Sequence, residues 1–165
     1  MKRYACALAV CVWLAWNGSA SLAQRAEDND IEAAGCYIAT PHGVVVNVNR
    51  LLSRLQLPMG RHLAGETSAQ TAARETLEET GISVHVGSVL LSLNEQRVLL
   101  YTCTPVTTIT DYAALSPRDV VEVSEVLVLN PHTMRNYDGR TISIDWRFPE
   151  TWLLLRTLYP SSANP

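Results

Sequence analysis

The stretch that most constrains this chain runs from Gly60 to Ile82, GRHLAGETSAQTAARETLEETGI, because it carries a start signal, a stop signal and a fixed spacing of charge. Thr67 followed three residues later by Gln70 is a capping-box pattern, and Gly81 supplies a left-handed C-terminal cap, so a helix is predicted between them. At 3.6 residues per turn, Ala69, Ala73, Leu77 and Thr80 fall on one side, expected to pack on a sheet, and Glu75, Glu78 and Glu79 fall together on the other. Like charges at this spacing repel by about a few tenths of a kcal/mol per pair. A merely solvated face would intersperse basic residues, and only Arg74 is near. A cation is the simpler explanation. Carboxylates at i, i+3 and i+4 suit Mg²⁺ or Mn²⁺, hard ions that take oxygen ligands and are commonly shared with substrate phosphates. Zinc would recruit histidine or cysteine, and neither His62 nor His85 stands beside this face at helical spacing.

Written as spacing, the stretch is Gly60, five residues, Glu66, seven residues, then Arg74-Glu75-Thr76-Leu77-Glu78-Glu79-Thr80-Gly81-Ile82. It resembles the Nudix box, GX5EX7REUXEEXGU, where U is aliphatic. Gly60, Glu66, Arg74, Glu75, Glu78, Glu79 and Gly81 all match; at an ordinary usage of about 6–7% each, the chance at any one start is on the order of 10⁻⁹. Thr76 stands at the first U position. Leu57-Pro58-Met59-Gly60 resembles the LPGG lead-in with Met59 in place of the first glycine, and Leu63 stands where many members carry an acid.

The resemblance implies an α/β protein, a Nudix-type α/β/α sandwich with a mixed β-sheet. It implies a metal-dependent hydrolase, using Mg²⁺ or Mn²⁺, that cleaves a pyrophosphate bond in a nucleoside diphosphate linked to another group. Carried over by residue, Glu75, Glu78 and Glu79 would bind the metal, with the Met59 peptide approaching it. Glu66 would assist from the first box position, and Arg74 would orient the carboxylates through charge-assisted hydrogen bonds. A further glutamate outside the box is implied; Glu122 is the first candidate and Glu125 the second. The general base is Glu75 or Glu122. A small-molecule diphosphate is the expected partner, and the loops outside the box carry no legible substrate signature. The alternative is a Nudix-like binding or regulatory module without turnover.

Upstream, Lys2-Arg3, an apolar run from Tyr4 to Trp16 and the small residues of NGSASLAQ form the pattern of an export signal, cleaved after Ala23 or Ala20. This places the mature protein in the periplasm or outside the cell; an uncleaved segment would instead anchor it to the membrane facing outward. The expected layout is a signal over 1–23, a polar leader over 24–33, one domain over 34–160 and a tail over 161–165. A content of 47% hydrophobic and 18% charged residues suits one globular core. Loss of Lys2 and Arg3 would move the formal charge from −3 to −5, so no attraction to nucleic acid or anionic membrane is implied. Export would leave Cys36 and Cys103 as the remaining pair. Two buried thiols are the first reading; a bridge, closing a loop worth about 4 kcal/mol, is the alternative.

The rest of the chain reads as strands with two interruptions. Gly35–Thr40 and Gly43–Asn49 form a hairpin about Pro41-His42-Gly43, with His42 a turn residue, and Ile82–Leu93 and Arg97–Val106 form another about Asn94-Glu95-Gln96. Arg50–Gln56 reads as a strand end or a loop with apolar anchors. A loop covers Thr107–Asp119, and Val120–Leu129 alternates as a strand. Residues 130–144 are turn-rich, and Pro149–Leu158 is a helix with proline in its first turn and an apolar face of Trp152, Leu155 and Tyr159. Trp146 and Phe148, just ahead of it, are expected in the core, with stacking on a substrate ring as the alternative.

Overall fold

In the structure, a computed structural model describing residues 30–161, β-branched and apolar runs form two sheets and the two predicted helices cover them. The proposed signal over 1–23 and most of the leader lie outside the described residues. The strands are β1 (Ala33–Tyr37), β2 (Ala39–Thr40), β3 (Gly43–Asn49), β4 (Arg54–Gln56), β5 (Met59–Arg61), β6 (Val84–Leu93), β7 (Val98–Pro105), β8 (Val123–Asn130) and β9 (Arg135–Asn136). The helices are α1 (Ser68–Thr80) and α2 (Pro149–Leu158). One sheet runs β5-β1-β7-β6 and is mixed, because β1 and β7 are parallel while the other pairs are antiparallel. The second runs β2-β3-β8-β9, antiparallel, with β4 on β3.

Period-two alternation sorts the core into two layers. Val44, Val46, Val48, Leu127 and Leu129 face α2 and meet Leu155 and Tyr159. Val45 and Val128 face α1 and meet Ala72, Cys36 and Ile38. This is the expected α/β/α sandwich, in which each fully buried Val or Leu contributes about 1.5–3 kcal/mol. Among the described residues no helix is long and apolar enough to cross a membrane.

Four expectations need correction. The run Gly35–Thr40 is two strands: β1 pairs with β5 and β7, and after Tyr37 the chain crosses so that β2 pairs with β3. An apolar run specifies burial but not which sheet receives it. Residues 50–53 form a turn ahead of the short β4, and Leu51 is 90% exposed rather than an anchor. On α1 the buried stripe is Ser68, Thr71, Ala72, Glu75, Thr76, Glu79 and Thr80, while Ala69, Ala73 and Leu77 are half-buried. Thr76 and Thr80 tolerate burial because their hydroxyls donate to the carbonyls of Ala72 and Thr76 (2.7 and 2.6 Å). Finally, Cys36 and Cys103 are bridged, with Cα atoms 5.5 Å apart, because β1 and β7 are adjacent and present both side chains to the layer beneath α1.

Other expectations hold. Thr67 and Gln70 complete the capping box and Gly81 closes α1 at φ 76°. The β6–β7 hairpin turns at Asn94–Gln96, all three at positive φ. Trp146 packs against the core as expected, but Phe148, expected there too, is half exposed.

Candidate active site

Gly60, the first position of the box, sits in β5 opposite Ala34. A side chain here would overlap the Glu75 carboxyl group, so the glycine is the gap through which Glu75 reaches the sheet. The neighbouring departure, Met59, is accommodated across the ladder. Its pairing partner is Gly35, where a Cβ would collide with Met59. The glycine absent from the lead-in is thus supplied on the opposite strand.

Arg74 gathers the outer carboxylates. Its Nε donates to Glu66 Oε1 (2.7 Å), Nη2 to Glu66 Oε2 (3.0 Å), and Nη1 to Glu75 Oε1 (2.6 Å) and Glu78 Oε2 (3.0 Å). Nη2 also donates to the Arg61 carbonyl (2.9 Å), tying the fork to β5. Thr71 Oγ1 donates to Glu66 Oε2, and His62 Nδ1 lies 2.8 Å from that hydroxyl. Arg74 holds the Glu66 carboxyl down at about 2, and its own pKa is raised in return.

Glu79 has a different environment. It is 1% exposed and accepts hydrogen bonds from neutral groups: Gln56 Nε2 on Oε1 (3.2 Å), and Asn47 Nδ2 (2.9 Å) and the Met59 N–H (2.8 Å) on Oε2. Asn47 and Gln56 are direct partners in the β3–β4 ladder, so their amides rise side by side toward α1. Burial pushes Glu79 up to about 8, against the Met59 N–H, and the negative charges of Glu122 and Glu75 push it further. Glu75 is also raised, first by burial, then by Glu78 and Glu122, with Arg74 opposing.

Glu122 is brought to this group by its backbone. The amides of Arg118 and Asp119 donate to the Glu78 carbonyl near the end of α1 (2.7 and 2.9 Å). Asp119 Oδ1 accepts from the amides of Val121 and Glu122 (2.9 and 3.1 Å), and the Arg50 amide donates to the Glu122 carbonyl (2.7 Å). Glu122 therefore lies in a turn before β8, which starts at Val123 rather than Val120. Glu75 and Glu122 line one cavity of about 410 Å³ with Gln56, Met59, Arg61 and Arg147. Glu125 does not join them: it pairs with Arg140 on the surface.

The described site brings together Glu66, Arg74, Glu75, Glu78, Glu79, Met59 and Glu122. Sequence reasoning missed Asn47, Gln56, Thr71, His62 and Arg147. Asn47 alone left a signal, as a polar interruption in the β-branched run GVVVNVN. The donor set suits a divalent cation in kind, since Glu75, Glu79 and Glu122 are neighbours whose burial and mutual repulsion disfavour their charge. Among the described residues no three His, Cys, Asp or Glu side chains stand already converged as a ligand set. The Arg74 fork accounts for this, drawing one oxygen each from Glu75 and Glu78.

Two sheets covered by helices, one of them capped and bearing carboxylates, define a Nudix-type α/β/α sandwich. The NUDIX domain matches residues 8–126, and the chain belongs to the Nudix hydrolase family. Its fold is similar to a Nudix hydrolase family member from Chromobacterium violaceum at 21% identity and a TM-score of 0.54, covering 81% of this chain and 83% of that one. It is similar to an ADP-ribose pyrophosphatase from Streptococcus suis at 15% identity and a TM-score of 0.54, covering 78% and 92%. It is also similar to a C. elegans Ap4A hydrolase at 18% identity and a TM-score of 0.54, covering 77% and 95%. No curated protein matches the chain.

Proposed function

We propose that this protein is a Mg²⁺- or Mn²⁺-dependent hydrolase of a pyrophosphate bond in a nucleoside diphosphate linked to another group, acting outside the cytoplasm. The observation that carries the reading is that Glu75, Glu79 and Glu122 stand close enough to raise one another's pKa, with Glu75 held by Arg74 and, with Glu122, lining a cavity that Arg61 and Arg147 share. Glu75, Glu78 and Glu79 would hold the metal, with the Met59 peptide fixed against Glu79. When bound, the ion supplies charge neutralisation of the diphosphate and a lowered pKa for water.

The chain's own residues supply the rest. Arg74 orients Glu66, Glu75 and Glu78. Arg61 and Arg147 make no ion pair among the described residues; Arg147 gives Nη1 to Gln56, and the other guanidinium N–H groups would be open to phosphate oxygens. Between the two candidate bases, Glu122 is preferred: Glu75 is tied to Arg74, whereas the Glu122 carboxylate makes no ion pair among the described residues. Solved relatives named for ADP-ribose and Ap4A hydrolysis make those compounds the first substrates to test.

A panel of ADP-ribose, dinucleoside polyphosphates, nucleotide sugars and nucleoside triphosphates, with Mg²⁺, Mn²⁺ or chelator, tests the reading. Metal-dependent release of phosphate or monophosphate products is expected, and its absence across the panel rejects it. Glu78→Gln separates enzyme from silent binding module, since only an enzyme has turnover to lose. The location rests on the N-terminal export pattern, and a buried Cys36–Cys103 bridge suits an oxidising compartment. Fractionation with mass measurement of the mature N-terminus checks it; an intact N-terminus in the cytoplasm rejects it.

A further inference from the structure

Residues 145–147 run beside β4 as an added edge: the Leu55 amide donates to the Asp145 carbonyl (2.9 Å), and the Arg147 amide donates to the Leu55 carbonyl (2.8 Å). This seats Arg147 next to Gln56, and Nη1 donates to Gln56 Oε1 (2.9 Å). Gln56 is 3% exposed, and its other amide atom, Nε2, donates to Glu79 Oε1 (3.2 Å). The guanidinium carbon also stands 5.3 Å from the centre of the Phe148 ring, so the cation is braced from a second side.

A buried amide has two orientations that differ by exchange of its oxygen and nitrogen. Facing a carboxylate, one donates a hydrogen bond and the other sets two oxygens against each other. A donor fixed on the Gln56 oxygen selects the first. We propose that Arg147 is a positioning residue that acts through Gln56 to fix the Glu79 carboxylate, linking the cavity wall at the start of α2 to the most buried acid of α1. The inference rests on the preceding section only in taking Glu79 as a metal-holding carboxylate. Arg147 faces the same cavity as Glu75 and Glu122, so an anion bound there meets the outer end of this chain of hydrogen bonds.

The test is a double-mutant cycle on the folded protein, read as Mn²⁺ affinity by calorimetry and as thermal midpoint in chelator. Outer partners of metal ligands alter affinity by about 10–100-fold. Gln56→Leu is expected to weaken Mn²⁺ binding by roughly tenfold, Arg147→Ala by roughly three- to tenfold, and the double variant no more than Gln56→Leu alone. Arg147→Lys, which keeps a donor for the Gln56 oxygen, is expected to recover most of the loss. If Gln56→Leu does not fold, Gln56→Met, which also removes both amide atoms, takes its place, with Arg147→Ala then expected to change its Mn²⁺ affinity little. Unchanged Mn²⁺ affinity in Arg147→Ala, losses that add in the double variant, or a wild type that takes up no Mn²⁺ overturns the inference. Intact Mn²⁺ binding and coupling in a protein that hydrolyses nothing on the panel overturns the hydrolase reading and leaves this one standing.

Discussion

Glu66 and Glu79 are carboxylates at opposite ends of one box, and the protein houses them in opposite ways. Glu66 lies at the half-exposed edge and receives a full positive charge through two bonds from Arg74. Glu79 lies beneath α1 and receives neutral N–H groups from Asn47, Gln56 and Met59. The first acid is held near 2 and the second near 8. Hydrogen bonds without a counter-charge are what the proposed function expects of a position reserved for an outside cation. Ordinary ion-pair logic would have brought a lysine to Glu79.

The largest effect should come from breaking that reserved position. Glu79→Gln keeps the shape and removes the charge, and is expected to lower kcat by roughly 10²–10³-fold, the loss typical of deleting one focused electrostatic contact. Calorimetry should show Mn²⁺ uptake abolished or strongly weakened. Retained Mn²⁺ affinity would show that Glu79 is structural after all, and the contrast with Glu66 would lose its functional meaning.

Arg74→Ala attacks the other side of the comparison. It frees Glu66, Glu75 and Glu78 together, and the expected loss is about 10–100-fold in kcat/KM, with Mn²⁺ still bound. Steady-state kinetics beside Mn²⁺ titration measures both. Loss of binding equal to that in Glu79→Gln would mean the fork builds the metal site rather than orienting it.

Added metal should sharpen the difference further. A ligand that binds only the folded state stabilises by about 2.7 kcal/mol at 100 times its Kd. Thermal melts of wild type in Mn²⁺ against chelator should therefore differ by several degrees, and Glu79→Gln should show little difference. Equal shifts in both would place the ion elsewhere on the surface.

How much of this contrast was legible beforehand follows from the kind of residue involved. Thr67, Gln70 and Gly81 act on backbone groups within a few positions, so their pattern predicts the ends of α1 directly. The spacing of Glu66, Arg74, Glu75, Glu78 and Glu79 was equally plain because one helix carries nearly all of it. The environment of Glu79 was not, since Asn47, Gln56 and Met59 arrive from three strands and two of them are neutral amides with no distinctive spacing. Hydrophobicity pointed to Ala69, Ala73 and Leu77 as the packing face, but the strand amides make Glu79 a better buried neighbour than its charge suggests. Glu122 is the first candidate outside the box, yet its position in a turn depends on Asp119 and Arg50, which act through backbone contacts that composition does not reveal.

The smallest effect tests the Glu66 end by pH. Its folded pKa of about 2 lies below the ordinary carboxylate value of 4.5, so the unfolded chain binds the proton more readily. Stability from the Arg74 and Thr71 contacts is therefore fully present above about pH 4.5 and is lost as pH falls toward about 2. Allowing for partial solvent screening, the contribution is about 2 kcal/mol. Glu66→Gln should then be less stable than wild type by about this amount at pH 7 in denaturant titrations, and the gap should close as the pH approaches 2. A gap that stays constant across that range would mean the side chain acts through packing alone. In that case Glu66 would cease to be the internally neutralised counterpart of Glu79.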